Sequence, residues 1–235
     1  MASKIDFLFY CPDINQKKEL DANDSQHCVK VLRKKKGDTI QVTDGKGGWY
    51  NCSITDPNPK ACGFSVLEEI QNYNEPKRKI SVAICPTKNA DRIEYFVEKA
   101  VEIGVDEIFF VKTTHTYPKK INLERLKKIA VSGMKQSLKA YLPKLGDLID
   151  FKAFMKQDFA GKQIFIAHYD DVAEPLFTQR LSSEVLIFIG PEGDYTKEEI
   201  LLANEVGFKT VTLGSNRLRT ETAGIVALSL LNLKD

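Results

Sequence analysis

Apolar positions change their rhythm once along this chain. Up to about residue 70 they come in short alternating runs. TIQV (39–42) and WYNCSI (49–54) flank the turn DGKGG, and CGFSVLEEI follows the turn DPNPK at 56–60. Period-two alternation cut by Gly, Pro and Asn predicts strands joined by hairpins. One helix is expected among them, from about Asp24 to Lys36, capped by Asn23 or Asp24 and stopped by Gly37. Short strands with so little helix predict a small β-barrel. QNYNEPKRK (71–79), polar and containing Pro76, reads as a linker.

Beyond residue 80 the pattern alternates between strand and helix. KISVAI is followed by DRIEYFVEKAVEIG, whose Ile93, Phe96, Val97, Ala100 and Val101 share one helical face. Asp91 is expected to cap this helix, Glu94 to complete a capping box and Gly104 to end it. EIFFV predicts the next strand, and a helix is expected from about Asn122 to Ala140. IFIA (164–167) and VLIFI (185–189) have the short, wholly apolar character of buried strands. Thr196 and Glu199 form a capping box for a helix to Val206, TVTL is a strand, and a last helix runs to about Asn232 with Thr220 or Thr222 as its cap. This order predicts a parallel sheet covered by helices on both faces. The expected division is residues 1–73 and residues 74–235.

Composition narrows the class. At 43% hydrophobic and 28% charged, the chain has the make-up of a globular protein. No apolar run is long enough to cross a bilayer, and the N-terminus lacks the basic and apolar regions of a signal peptide, so a cytoplasmic protein with no membrane association is expected. Five scattered cysteines without a C-x-x-C pair, and three dispersed histidines, argue for reduced thiols and no metal. The net charge of +2 conceals local excess. KVLRKKK (30–36) holds five basic residues, and residues 112–144 hold nine Lys or Arg against the single acid Glu124. Two readings fit, a solvated lysine-rich face or a phosphate-binding surface, and two separate clusters in a near-neutral chain favour nucleic acid.

Ligands of open parallel sheets bind beyond the carboxyl ends of the strands. Three loops qualify here: AHYDD (167–171), GPEGDY (190–195) and GSNRLRTET (214–222). Neither a dinucleotide fingerprint nor a P-loop occurs in the chain. Glu192 and Asp194 would oppose a phosphate at the helix start after GPEGDY, so that loop suits hydroxyl and amino groups better. GSNRLRTET could be a plain helix cap with solvated arginines. Against that, Arg219 lies near the positive end of a helix dipole, a local conflict of the kind found at functional sites.

IGPEGDYTKEEI (189–200) followed by LGSNRLRTETAGIVAL (213–228) closely resembles the C-terminal motifs of the RsmE-type 16S rRNA uridine-N3 methyltransferases of the SPOUT superfamily. HCVKVLRKKKGD (27–38) is similar to the PUA-like N-terminal domain of that family, and EYFVEKAVEIGVDEI (94–108) to its first catalytic-domain helix and following strand. The paired motifs in this order are specific; either alone is weak.

The resemblance implies an α/β fold: a SPOUT-type parallel sheet with a C-terminal trefoil knot, preceded by a small PUA-like β-barrel domain. It implies a homodimer that binds S-adenosyl-L-methionine in the knot. It further implies methylation of a uridine at N3 in 16S rRNA, within the small ribosomal subunit. By motif position, the cofactor residues are Gly190, Pro191, Glu192, Gly193, Leu213, Gly214, Leu218, Thr222 and Ala223. Uracil N3 bears a proton, so transfer to it needs a proton acceptor and support for charge spreading onto O2 and O4. Arg219 is assigned that support and Glu221 the task of orienting it; no residue is assigned as the base. Contacts to RNA are expected from Lys30, Arg33, Lys34, Lys119, Lys120, Lys127, Lys128, Gln136, Lys139 and Arg217. Asn216 and Lys139 stand where the family commonly has arginine, and a lysine keeps the charge without the guanidinium fork. A non-catalytic RNA-binding assembly protein, or a methyltransferase acting on another RNA, is the alternative.

Overall fold

The computed structural model describes residues 7–169 and 173–233. It divides into two compact units. One takes in the described residues up to Glu75 together with Val131–Leu142; the other holds Pro76–Ala130 and the described residues from Pro143 onward.

The first unit is built on a sheet of β1 (Leu8–Tyr10), β2 (Thr39–Thr43), β3 (Trp49–Asp56) and β4 (Gly63–Ile70), in that order. β1 and β2 run parallel; the other pairs are antiparallel, with register shifts at Leu67 of β4 and Thr55 of β3. Alternation buries Ile40 and Val42 on β2 and Cys52 and Ile54 on β3, in one core with Phe9, Ile14, Leu20 and Phe64. The helix expected over 24–36 is much shorter. An α-turn, α1 (Ala22–Gln26), passes into a π-helical turn (His27–Val31), and Asp21 caps it by accepting from the Asp24 N–H. Four basic residues between 33 and 36 would face like charges one turn apart, which disfavours continuing the helix.

Residues 71–75 belong to this unit rather than to a free linker: Tyr73 stacks on Trp49 at 4.4 Å, and its N–H donates to Gly47 O. An ion pair joins the buried Asp24 to the half-buried Lys135.

The second unit is a seven-stranded parallel sheet in the order β7-β6-β5-β10-β8-β11-β9. Its strands are β5 (Lys79–Ile84), β6 (Glu107–Lys112), β7 (Lys144–Asp150), β8 (Gln163–Ala167), β9 (Glu174–Pro175), β10 (Glu184–Ile189) and β11 (Lys209–Thr212). Its helices are α2 (Ala90–Ile103), α4 (Phe151–Phe154), α5 (Lys197–Val206) and α6 (Thr220–Asn232). Another helix, α3 (Leu123–Gln136), begins in this unit.

Helices cover both faces, as period two requires. Ala83 and Cys85 join a core with Phe151 and Phe154 of α4 and Ala203 of α5. Their neighbour Ile84 faces α6 and α2, where a Cβ on Gly224 would fall 2.5 Å from Phe96 and 3.3 Å from Ile84. The absence of a side chain at Gly224 is therefore what lets α6 lie close on α2. The cap of α2 is Asn89, accepting from the Asp91 N–H, rather than Asp91; Glu94 pairs with Arg125 instead of closing a capping box.

Candidate active site

Strands β10, β8 and β11 are neighbours, so the loops at their carboxyl ends stand side by side. Together they enclose a cavity of about 820 Å³. Ala167, His168 and Tyr169 line it from the first loop, Gly190–Glu192, Asp194 and Tyr195 from the second, and Leu213–Arg219 from the third. Arg92 of α2 and Ala223 of α6 complete the wall. Asp170 and Asp171 of the first loop lie outside the described residues.

The second and third loops are locked together by one bond. Thr220 Oγ1 donates to Gly190 O at 3.0 Å. A Cβ on Gly190 would meet the ring of the buried Tyr195 at 2.7 Å, so only glycine fits without moving that ring. Gly214 has a φ of 122°, a conformation other residues rarely take. Because Thr220 turns to Gly190, α6 lacks a side-chain cap: its N-cap is Arg219, whose side chain makes no capping bond. The cap expected from Thr220 or Thr222 is thus replaced by an open helix end, whose N–H groups are left to solvent or to a ligand.

Of the cofactor residues assigned from the motifs, Gly190, Pro191, Glu192, Leu213, Gly214, Leu218 and Ala223 line the cavity, as do Arg217 and Arg219. Gly193 and Thr222 do not; Gly193 packs against His115, and Thr222 is exposed on α6. Glu221 does not orient Arg219. It is 8% exposed and faces Arg92, with Oε1 3.8 Å from Nε, and its Oε2 is buried without a partner among the described residues. Residues two apart on a helix point in different directions, which is why Arg219 and Glu221 diverge.

Arg92 is the functional residue that the sequence did not offer. Its Nη1 lies 2.8 Å from Glu192 Oε1, while Glu192 Oε2 accepts from the Lys88 N–H. One guanidinium thus ties the GPEG loop and α6 to α2. His168 was legible only as one of three dispersed histidines, yet here Nδ1 lies 3.2 Å from Asp194 Oδ1 inside the cavity.

The residues assigned to RNA divide between the units. Lys30, Arg33 and Lys34 follow α1 in the first; Lys30 and Arg33 are exposed, and Lys34 donates to Thr39 O. Gln136, exposed, and Lys139, half-buried, belong to the same unit. Lys119, Lys120, Lys127 and Lys128 are exposed in the second unit. Lys127 is paired with Glu124 at 2.9 Å, and that bond holds the Glu124 carboxyl below its usual range.

Among known proteins, residues 74–232 match the family described as RNA methyltransferase domain, and residues 20–67 the family described as RNA methyltransferase PUA domain. Ribosomal RNA small subunit methyltransferase E of Mesomycoplasma hyopneumoniae is 29% identical over 226 residues, covering 92% of this chain and 96% of its own. The protein of the same name from Rickettsia conorii is 29% identical over 229 residues, covering 93% and 91%. The crystal structure of a probable rRNA-methyltransferase from Porphyromonas gingivalis superposes with a TM-score of 0.91 at 38% identity, over 97% of each chain. The small subunit methyltransferase E of Neisseria gonorrhoeae, crystallised with S-adenosyl methionine, gives 0.87 at 27% identity, again over 97% of each. The α/β fold with its parallel sheet and PUA-like N-terminal region agrees with the expectation from the sequence.

Proposed function

The chain belongs to the RNA methyltransferase family, and from that premise we propose that it methylates N3 of a uridine in the decoding region of 16S rRNA, using S-adenosylmethionine. The observation that carries this reading is the convergence of three strand-end loops, with Arg219, on one cavity. Relatives matched over nearly their whole length act on small-subunit ribosomal RNA by name, and a similar structure holds S-adenosyl methionine.

The residues present fit that cofactor. The cavity is of the size usual for small-molecule sites, about 300–1,000 Å³. Leu213, Leu218, Ile189 and Ala223 offer apolar surface for a purine, and the bare backbone of Gly214 leaves polar groups uncovered. Glu192 and Asp194 suit hydroxyl and amino groups, and the cofactor has no phosphate for them to repel. In this reading Leu213, Gly214 and Leu218 hold the adenine, and the Gly190–Glu192 stretch holds the ribose and amino-acid tail. When bound, S-adenosylmethionine supplies a methyl group on a positively charged sulfur that leaves as a neutral thioether.

The chain's own groups do the rest. Arg219 is exposed at the cavity and has no ion-pair partner among the described residues, so its charge is available to the uracil oxygens. The uncapped start of α6 adds partial positive charge at the same place. Arg92, clamped by Glu192 and Glu221, fixes the wall of the cavity.

The same reading includes a trefoil knot in the C-terminal part, a homodimer in the cytoplasm, and the small ribosomal subunit as the partner. In it residues 1–73 form the RNA-holding domain and residues 74–235 the catalytic one. Mapping N3-methyluridine in 16S rRNA from cells lacking the protein tests the target. One decoding-region uridine should lose its methyl group and regain it on complementation; an unchanged map rejects the assignment. Calorimetry with S-adenosylmethionine separates the enzyme from a non-catalytic RNA-binding protein, which would bind none with or without RNA.

A further inference from the structure

Resting on the reading as a uridine-N3 methyltransferase, we propose that His168 accepts the N3 proton and that Asp194 is the residue that positions it.

His168 directly follows β8, and its backbone N–H donates to Val211 O of β11 at 3.1 Å, which pins it between two adjacent strands. Its ring meets the Tyr195 ring edge-on, with centroids 6.2 Å apart. Nδ1 lies 3.2 Å from Asp194 Oδ1. An ionised carboxylate only accepts, so in the neutral ring the bond places the proton on Nδ1 and leaves Nε2 with a lone pair. Among the described residues nothing bonds Nε2, and the side chain lines the same cavity as Arg219.

Asp194 is held in place by several independent contacts. It has a φ of 64°, in the left-handed region that non-glycine residues seldom occupy. Its N–H donates to Pro191 O at 3.1 Å, its Oδ1 accepts from the Tyr195 N–H at 2.8 Å, and its carbonyl lies 2.8 Å from His115 Nδ1. Strained backbone persists where the surroundings over-determine it, and it concentrates at functional sites. A base hydrogen-bonded to a fixed orienting carboxylate, open on its other side to a ligand cavity, is the arrangement that proton abstraction requires.

The chemistry balances within the proposed reaction. The N3–H bond breaks, the proton bonds to Nε2, and the electron pair stays on N3, where it forms the bond to the methyl carbon as that carbon's bond to sulfur breaks and its pair leaves with the neutral thioether. Before transfer is complete the negative charge spreads over O2 and O4 toward Arg219. The imidazolium is neutralised by Asp194 and returns its proton to water.

The test uses the full-length protein and small ribosomal subunits lacking the modification. In single-turnover methylation, His168→Ala should lose about 10²–10⁴ in rate while binding S-adenosylmethionine within twofold of wild type. Added imidazole should restore part of that rate and leave wild type unchanged. His168→Gln, similar in size but unable to take a proton, should stay slow.

A readout independent of turnover comes from ¹⁵N spectra of the cofactor-free protein. The His168 ring should show the Nδ1–H tautomer, and Asp194→Gly, whose glycine suits the positive φ, should lose that bias. Near wild-type methylation by His168→Gln overturns the proposal, as does a rate loss matched by an equal loss of cofactor affinity. If wild type itself methylates no ribosomal RNA, the methyltransferase reading falls instead; if wild type is active and His168→Gln equally so, only the role of His168 falls.

Discussion

Arg92 and Glu192 are a hundred positions apart, and neither carries a local mark of the other. On a helical wheel Arg92 is one more polar residue at the edge of the apolar stripe, one turn before Phe96. Gly190, Leu213, Gly214 and Leu218, by contrast, were legible because each stands in a motif beside a strand end. The two groups lead to different experiments. Arg219→Ala should lower the methylation rate by about 10²–10³, the usual loss for one group stabilising developing charge, with both substrates still bound; a wild-type rate in single turnover removes Arg219 from the mechanism. Gly190→Ala should keep the fold but drive its methyl group into the Tyr195 ring, 2.7 Å away. Affinity for S-adenosylmethionine should then fall at least about tenfold, more than 1.4 kcal/mol, in calorimetry.

Helix ends show what local chemistry decides and where packing overrules it. α5 starts at the expected capping box and ends at Val206 as expected. Thr196 and Glu199 form the reciprocal capping box, and Gly207, with a φ of 106°, closes the helix with Phe208 N–H bonded to Ala203 O. α3 ends on the same hydrogen-bond pattern without a glycine. Leu138 takes the left-handed position at φ 55°, while its own N–H and that of Lys139 donate to Lys135 O and Met134 O. Leu138 packs with Leu8, Trp49 and Tyr141, and that burial offsets the conformational cost; no residue type announced the stop, so the helix was expected to reach Ala140. β7 escaped notice for a related reason: as a half-exposed edge strand containing Gly146 it has little alternation to read.

Glu199 also accepts from the Thr114 N–H and hydroxyl. Urea unfolding should therefore find Thr196→Ala destabilised by about 1 kcal/mol, and Glu199→Ala by more, about 2–3 kcal/mol, because it loses charge-assisted bonds from both Thr114 and the Thr196 N–H. Equal losses would reduce Glu199 to a simple cap.

At the scale of the molecule, charge and thiols give further tests. Replacing Lys119, Lys120, Lys127 and Lys128 together should weaken RNA binding and flatten its dependence on salt, leaving cofactor binding unchanged. Lys127 should contribute least, since Glu124 already balances it. An unchanged salt slope would make the cluster a solvated face. All five cysteines are buried and free. Burial pushes the thiols of Cys28, Cys52 and Cys85 from 9.0 up to about 12. Between those values the folded state holds protons that the unfolded chain releases. Their contribution is thus complete below pH 9 and lost as pH rises toward 12. Urea midpoints should fall over that range, and a Cys85→Ala variant should show a shallower decline.

The sequence by itself determined the alternating parallel sheet, most of the buried strands and the two motif loops, because period, turn chemistry and capping act over a few residues. Only the tertiary structure decided which strands are neighbours, and hence that the loops after β8, β10 and β11 close one cavity. It also turned Glu221 from Arg219 to Arg92 and brought His168 to Asp194. Those contacts join residues far apart in the chain, and their energies depend on a geometry that no local pattern encodes.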